Sequence, residues 1–490
     1  MMDFGRFSPI EDRFEISRDF FIHNKKDKII TRGISMTTKL NDKNNFTTGS
    51  IPLKLLRFML PTLGALILQA MYGAVDVMIV GKFGSTAGIS GVSTGGNIIN
   101  LIIFATAGLS MGVTVLIARY LGEQQPERIG KLVGGAIWFF FVFSLVLTLL
   151  LPALARPLTL LMQAPQEAVE QTISYIRICG GGIFFIIAYN VISSIFRGLG
   201  DSVMPLVFVA IACVVNIIGD LFFVAVLHMD VIGAALATVL AQAVSVVLSI
   251  LIIRKRPLPF SITKSNVAFS IEVKRFVRIG TPISFQGILT DLSFLALCAF
   301  INDLGLDASS GYGVANRIVS FIMLIPGSLM QSMASFVSQN VGAGREDRAT
   351  QAMFTGMGLG GTIGIFIGLL AFFHGDIFTS MFTNDLTVVA RAWEYLQGFA
   401  PEAVVTCILF SFIGYFNGHA QTSFVMMQGI AQTFLVRLPV SWFMSIQPDA
   451  SLTMIGLAAP AATVFGIIIN AVFFIRCRGR TAFSQEGGRR

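Results

Sequence analysis

The sequence predicts an all-α polytopic membrane protein in which twelve transmembrane helices form two parallel six-helix repeats around a central cavity. Three observations carry that expectation. Of the 490 residues, 54% are hydrophobic and only 13% charged, with mean hydropathy +0.76, a balance too apolar for a water-soluble globule. About twelve apolar runs follow one another, each long enough to cross a hydrocarbon core about 30 Å thick, and they are helix-length rather than the alternating ten-residue segments of a barrel. Finally, residues recur at one fixed spacing: Gly122 and Gly342, Arg128 and Arg348, Tyr175 and Tyr395, Phe196 and Phe416, and Gly198 and Gly418 each lie 220 positions apart.

Residues 1–50 are polar and mixed in charge, with NKKDK and NDKNN runs and no apolar stretch of the signal-peptide kind. They are expected to form a disordered cytoplasmic tail, and Met36 is an alternative start to Met1. The apolar runs then fall at roughly 53–83, 86–120, 127–151, 167–197, 202–227, 231–253, 271–302, 308–340, 346–373, 386–417, 422–446 and 452–477. This divides the chain into a first bundle at 51–256, a cytoplasmic linker at 257–270, a second bundle at 271–478 and a basic cytoplasmic tail at 479–490.

Charge sets the expected topology. Arg119, Arg128, Lys131, Arg197, the Arg254 to Arg278 segment, Arg345, Arg348 and the C-terminal arginines occupy alternate connections, whereas the intervening ones hold only Lys82, Arg156 and Arg391. The positive-inside rule then places both termini in the cytoplasm. The formal charge of +8 is accordingly a loop signal, with no stripe suited to nucleic acid. Because six spans is an even number, the second repeat enters the membrane in the same sense as the first.

Within this apolar background Asp76 stands out, near the end of a helix-length run from Pro61 to Gly84 with no basic residue beside it in sequence. An ionised Asp at a bilayer centre costs about 2.5–3.5 kcal/mol on insertion scales, so it is turned toward a cavity, a partner or an ion. Gln69, Tyr72 and Asp76 are spaced i, i+3, i+7 and share one helix face. Asn216 and Asp220 are likewise i, i+4, and hard oxygen donors of this kind suit a hard cation such as Na⁺. The five cysteines, with no CxxC spacing, read as small core residues, and the four histidines are scattered at helix ends or in the tail, which argues against a transition-metal site.

Four motifs carry a family resemblance: Pro61, Asp76, Gly81 and Gly84 in the first span, RGLGDS at 197–202, NIIGD at 216–220 and VSQNVGAGREDRA at 337–349. In this order and spacing the chain resembles the multidrug and toxic compound extrusion (MATE) family over nearly everything after residue 50. The resemblance implies a cytoplasmic-membrane antiporter, working as a monomer, that exports cationic or amphiphilic organic compounds in exchange for Na⁺ or H⁺. It implies a coupling site of Asp76, Asn216, Asp220 and Thr238, with Asn190 as a further member, and Na⁺ as a possible occupant at Asp76, Asn216 and Asp220. Taken singly, Asn216 and Thr238 are equally well explained by ordinary interhelical hydrogen bonds.

The second repeat departs from this plan, because the 220 spacing turns Asn216, Asp220 and Asp76 into Val436, Val440 and Ala296. It holds instead Gln286, Asp291 and Glu402, which with Gln69 and Tyr72 are candidates for the substrate cavity. Glu402, near a helix start, is equally readable as a residue that compensates the helix dipole at the interface. Arg317 reads as an interfacial anchor. Two other functions are weighed. A flippase for a lipid-linked precursor calls for a basic cavity, against which the acidic first repeat argues. A membrane enzyme calls for His, Asp or Ser clustered at one membrane face, which the sequence lacks.

Overall fold

The structure, a computed structural model, describes residues 44–256 and 258–487, apart from the side chains of 291 and 478–487. Most of the expected N-terminal tail, with Met1 and Met36, therefore lies outside the described residues, as do the side chains of the expected basic tail.

All twelve expected segments are helical. They are α1 (Ile51–Phe83), α2 (Thr86–Gly122), α3 (Pro126–Leu161), α4 (Gln166–Gly181 and Ile183–Gly198, bent by 53°), α5 (Val203–Val226) and α6 (Asp230–Lys255). The second set is α7 (Ile271–Asn302), α8 (Leu306–Gly342), α9 (Glu346–Ser380), α10 (Leu386–Phe399 and Glu402–Gly418, bent by 46°), α11 (422–445) and α12 (Leu452–Cys477). Among the described residues nine helices are long and apolar enough to cross a membrane, or up to eleven when each bent pair counts as one span. The α11 segment completes the set, helical throughout but loosened by a π turn over Gln432–Arg437.

Local chemistry sets several boundaries. Pro52 sits in the first turn of α1 and Pro126 opens α3, positions where the missing N–H costs nothing. The Ser85 hydroxyl caps α2 by accepting from the Gly88 N–H at 2.9 Å. Sharp reversals after α2 and α8 place Gln124 (φ 56) and Gly344 (φ 69) in the left-handed region, and those after α4 and α10 place Gly200 (φ 80) and Ala420 (φ 59) there. Each pair is again 220 positions apart, so the repeat seen in the residues is also a repeat of backbone conformation. Glycine takes this conformation freely, whereas Gln124 and Ala420 each bear about 1–2 kcal/mol of strain.

The two repeats meet closely at the end that carries the basic loops. Gly122 and Gly342 sit so close to the facing helix that a Cβ on Gly122 would lie 2.1 Å from Gln339 O, and one on Gly342 2.1 Å from Arg119 O. The Ser338 hydroxyl donates to Val115 O at 2.7 Å, and Ser335 to Arg197 O at 2.8 Å. Beside them the buried Glu272 of α7 accepts from the Tyr120 hydroxyl of α2 at 2.6 Å and from Arg275 at 2.7 Å. Farther along, Gly108 and Gly112 of α2 admit Ser284, Phe276 and Gly280 of α7, the small-residue packing that draws helices together in lipid.

One helix does not keep to its own repeat. Ile51, Leu55, Phe58 and Met59 of α1 share a core cluster with Leu329, Met333 and Phe336 of α8 and with Cys407 and Phe412 of α10. The residues just before α1 reinforce this docking. The Phe46 ring is buried and stacks on Phe336 with centroids 5.1 Å apart, Arg348 donates to the carbonyls of Phe46, Thr48 and Gly49, and Arg345 donates to that of Thr47. Residues 46–49, assigned by sequence to a loose tail, are thus a strap fastened to the second repeat.

Candidate functional site

Three helices of the first repeat bring the expected coupling residues together. Asp76 comes from α1, Asn216 and Asp220 from α5, and Thr238 from α6. Gly219 allows α5 and α6 to touch, since a Cβ there would lie 3.0 Å from that of Ala237. The Thr238 hydroxyl donates to Asp76 Oδ2 at 3.2 Å, and Asp76 faces Asp220 and Asn216 directly. Immediately beyond Asp220 the backbone widens into a π turn over Leu221–Val226, a local expansion that recurs at functional sites.

Burial makes this arrangement demanding. Asp76 is 2% exposed, and Asn216 and Asp220 are fully buried. Asp76 Oδ1, both Asp220 oxygens and both polar atoms of the Asn216 amide find no hydrogen-bond partner. Among the described residues no lysine, arginine or histidine pairs with either carboxylate. Two neighbouring buried carboxylates cannot both stay charged and uncompensated, so the pocket must take up a proton or a cation. Oxygen donors from two carboxylates, an amide and a hydroxyl fit a hard monovalent cation. Among the described residues no group of three or more His, Cys, Asp or Glu is arranged to hold a metal ion.

The other candidates in this repeat divide. Tyr72 joins the site, its hydroxyl donating to Thr238 O at 3.5 Å. Asn190 is buried, but its amide donates to Ile186 O of its own helix at 2.9 Å, and no hydrogen bond ties it to the carboxylates. Gln69 is half-buried on the Tyr72 face, without a bond to the acids. Gln242 belongs to the site but was missed by sequence reasoning. It lies one turn after Thr238 on α6, beside the Tyr72 hydroxyl, with its Oε1 buried and unpartnered. The i, i+4 spacing from Thr238 was the available signal.

The second repeat holds a separate polar cluster. Glu402 opens the second segment of α10, as a first-turn acid would, yet it is 7% exposed. Its Oε1 accepts from the Thr463 hydroxyl of α12 at 2.8 Å, while Oε2 has no partner. Gln432 of α11 donates to Thr463 at 3.3 Å and accepts from Gln428 at 2.7 Å. Nearby Arg437 stacks over Phe294, 4.1 Å from the ring centroid, and contributes positive charge to the Glu402 surroundings. Glu402 therefore has an internal cation near it, which Asp76 and Asp220 lack. Gln286 packs against Gly429 of α11, and Asp291 lies on α7 with its side chain outside the described residues.

Comparison with known proteins agrees with this architecture. The MatE family model matches the chain twice, over residues 61–222 and 282–443, one copy in each repeat. Curated relatives include the probable multidrug resistance protein YoeA of Bacillus subtilis (strain 168), 28% identical over 69% of this chain and 77% of that protein. Another is the multidrug export protein MepA of Staphylococcus saprophyticus, 22% identical over 82% of this chain and 88% of that one. Among solved structures, an outward-facing multidrug resistance MATE family transporter of the MOP superfamily superposes with TM-score 0.83 at 20% identity, covering 90% of this chain and 98% of the other. A MOP superfamily transporter from Pyrococcus furiosus, described as having a binding pocket of reversed polarity, gives TM-score 0.82 at 19% identity over the same shares.

Proposed function

The chain belongs to the MATE family of membrane transporters, and we propose that it is an antiporter exporting cationic or amphiphilic organic compounds in exchange for Na⁺ or H⁺. The observation that carries this reading is the pair of buried carboxylates, Asp76 and Asp220, with three unpartnered oxygens and, among the described residues, no basic side chain paired with either. Such a pair is costly unless it holds a small cation, so it stores the driving ion in one state and yields it in another. When Na⁺ is the ion, Asp76, Asn216, Asp220 and Thr238 supply its oxygens; when H⁺ is the ion, the two acids share it. The multidrug resistance names of the relatives support drug-like cargo.

By the positive-inside rule the basic end, closed at Gly122 and Gly342, faces the cytoplasm, with both termini there and the protein in the cytoplasmic membrane as a monomer. Two six-helix bundles, 51–256 and 271–478, rock about the membrane midplane and open this end in turn. A lipid-precursor flippase is disfavoured because the buried pair Asp76 and Asp220 is acidic and, among the described residues, no basic side chain pairs with it to meet a phosphate. The deciding experiment is substrate efflux from proteoliposomes under an imposed Na⁺ or pH gradient. Acceleration by one of the two gradients supports the reading, and indifference to both defeats it.

A further inference from the structure

The outer halves of α2 and α8 carry matching exposed stripes that the coupling site does not use. On α2 the exposed residues are Ser93, Asn97 and Asn100; on α8, 220 positions later, they are Gly313, Arg317 and Ser320. Steps of four and three put each trio on one helix face. Followed toward the basic end, the α2 face runs through Met111 and Val115 to Gly122, and the α8 face through Ser335 and Ser338 to Gly342, the residues that close helix against helix there. The opposite faces pack into their own repeats, with Gly91 and Gly95 against Gln171 and Tyr175 of α4, and Gly311 against Arg391 of α10.

The stripes therefore point at the axis between the repeats, where α2 and α8 have parted, and line the facing walls of a cleft open away from the basic loops. That direction sets Arg317 on the cleft wall, an alternative to its reading as an interfacial anchor. It is exposed and makes no ion pair among the described residues. A free guanidinium repels a plain cation but offers a planar donor fork that matches a carboxylate. Across the cleft, at the same helix position, stands the neutral amide of Asn97.

We infer that Arg317 binds the carboxylate of the transported compound, so that the preferred cargo is a zwitterionic amphiphile carrying both a carboxylate and a cationic centre. This rests on the efflux reading above and narrows its substrate class. The test uses rhodamine 110, which has a free carboxylate, and its methyl ester rhodamine 123, which has the same cationic ring system. Anisotropy titrations of the full chain in phosphatidylcholine nanodiscs give the affinities, with and without added phosphatidylglycerol.

Arg317→Gln is expected to weaken rhodamine 110 about tenfold, or about 1.4 kcal/mol, and to leave rhodamine 123 unchanged. Arg317→Lys should fall between, keeping the charge but losing the fork. Equal loss of both dyes, or no loss of either, overturns the inference. So does a wild type that binds only rhodamine 123, an outcome that leaves the efflux reading standing. If phosphatidylglycerol displaces neither dye from the wild type yet its own binding alone falls in Arg317→Gln, the guanidinium serves a lipid headgroup and the inference fails. A wild type that binds and exports neither dye counts against the efflux reading itself and removes the inference with it.

Discussion

The contact at Gly122 and Gly342 offers a test of how the molecule moves. Alanine at Gly122 places a methyl 2.1 Å from Gln339 O and 2.9 Å from Ala343 N; alanine at Gly342 places one 2.1 Å from Arg119 O. The atoms in the way are backbone, so no rotamer change relieves the clash, and neither glycine has a positive φ that would strain alanine on its own. Overpacking of this kind costs about 1–3 kcal/mol, a cost borne only while the basic end is closed. It should therefore shift the closed-to-open equilibrium about 5- to 150-fold toward opening. Gly358 on α9, with nothing within 4 Å of an added Cβ, is the control: Gly358→Ala should leave the equilibrium alone. Spin labels at the exposed, pseudo-equivalent positions Glu127 and Asp347 report the separation. Wild type should give mainly the short distance, and Gly122→Ala a new long one. An unchanged distance distribution in Gly122→Ala and Gly342→Ala alike would refute the idea that this contact is broken in the transport cycle.

Two further predictions follow from the same geometry. Asp220→Asn should abolish Na⁺ binding or substrate-induced proton release, whereas Glu402→Gln, whose carboxylate already has Arg437 nearby, should largely retain it; isothermal titration distinguishes them, and the reverse pattern would move the coupling site to the second repeat. Arg348→Gln removes three hydrogen bonds to the carbonyls of the 46–49 strap; at about 1 kcal/mol each, the loss should lower the melting midpoint and speed proteolysis near Phe46, and an unchanged digestion rate would show that the strap is held without it.

Much of the fold was legible because apolar length reports spans directly, and because the 220 spacing falls on residues at helix ends. The candidate coupling site was legible in part through charge: a carboxylate in an apolar helix is conspicuous, which singled out Asp76, while Asn216, Asp220 and Thr238 entered through the family resemblance, with the i, i+4 spacing of Asn216 and Asp220 in support. Gln242 did not, because a lone neutral amide on an apolar helix carries no sign of what it faces. The same limit hid the Glu402–Thr463–Gln432 chain, whose members come from three helices far apart in sequence. It also hid the docking of α1 onto the second repeat. In a bilayer protein a helix face against lipid and one against another helix are equally apolar, so Leu55 and Phe58 show no periodicity that names their partner.

On the proposed function, Asp76 and Asp220 convert a cation gradient into substrate export. Asp76→Asn tests it most directly, since the amide keeps the shape of the side chain and its contact with Thr238 but removes the ionisable group. In proteoliposomes under a Na⁺ or pH gradient, the variant should lose all uphill, gradient-driven efflux, while reconstituting at wild-type levels and retaining downhill substrate exchange. Uphill efflux at the wild-type rate from Asp76→Asn would show that Asp76 does not couple the gradient to export.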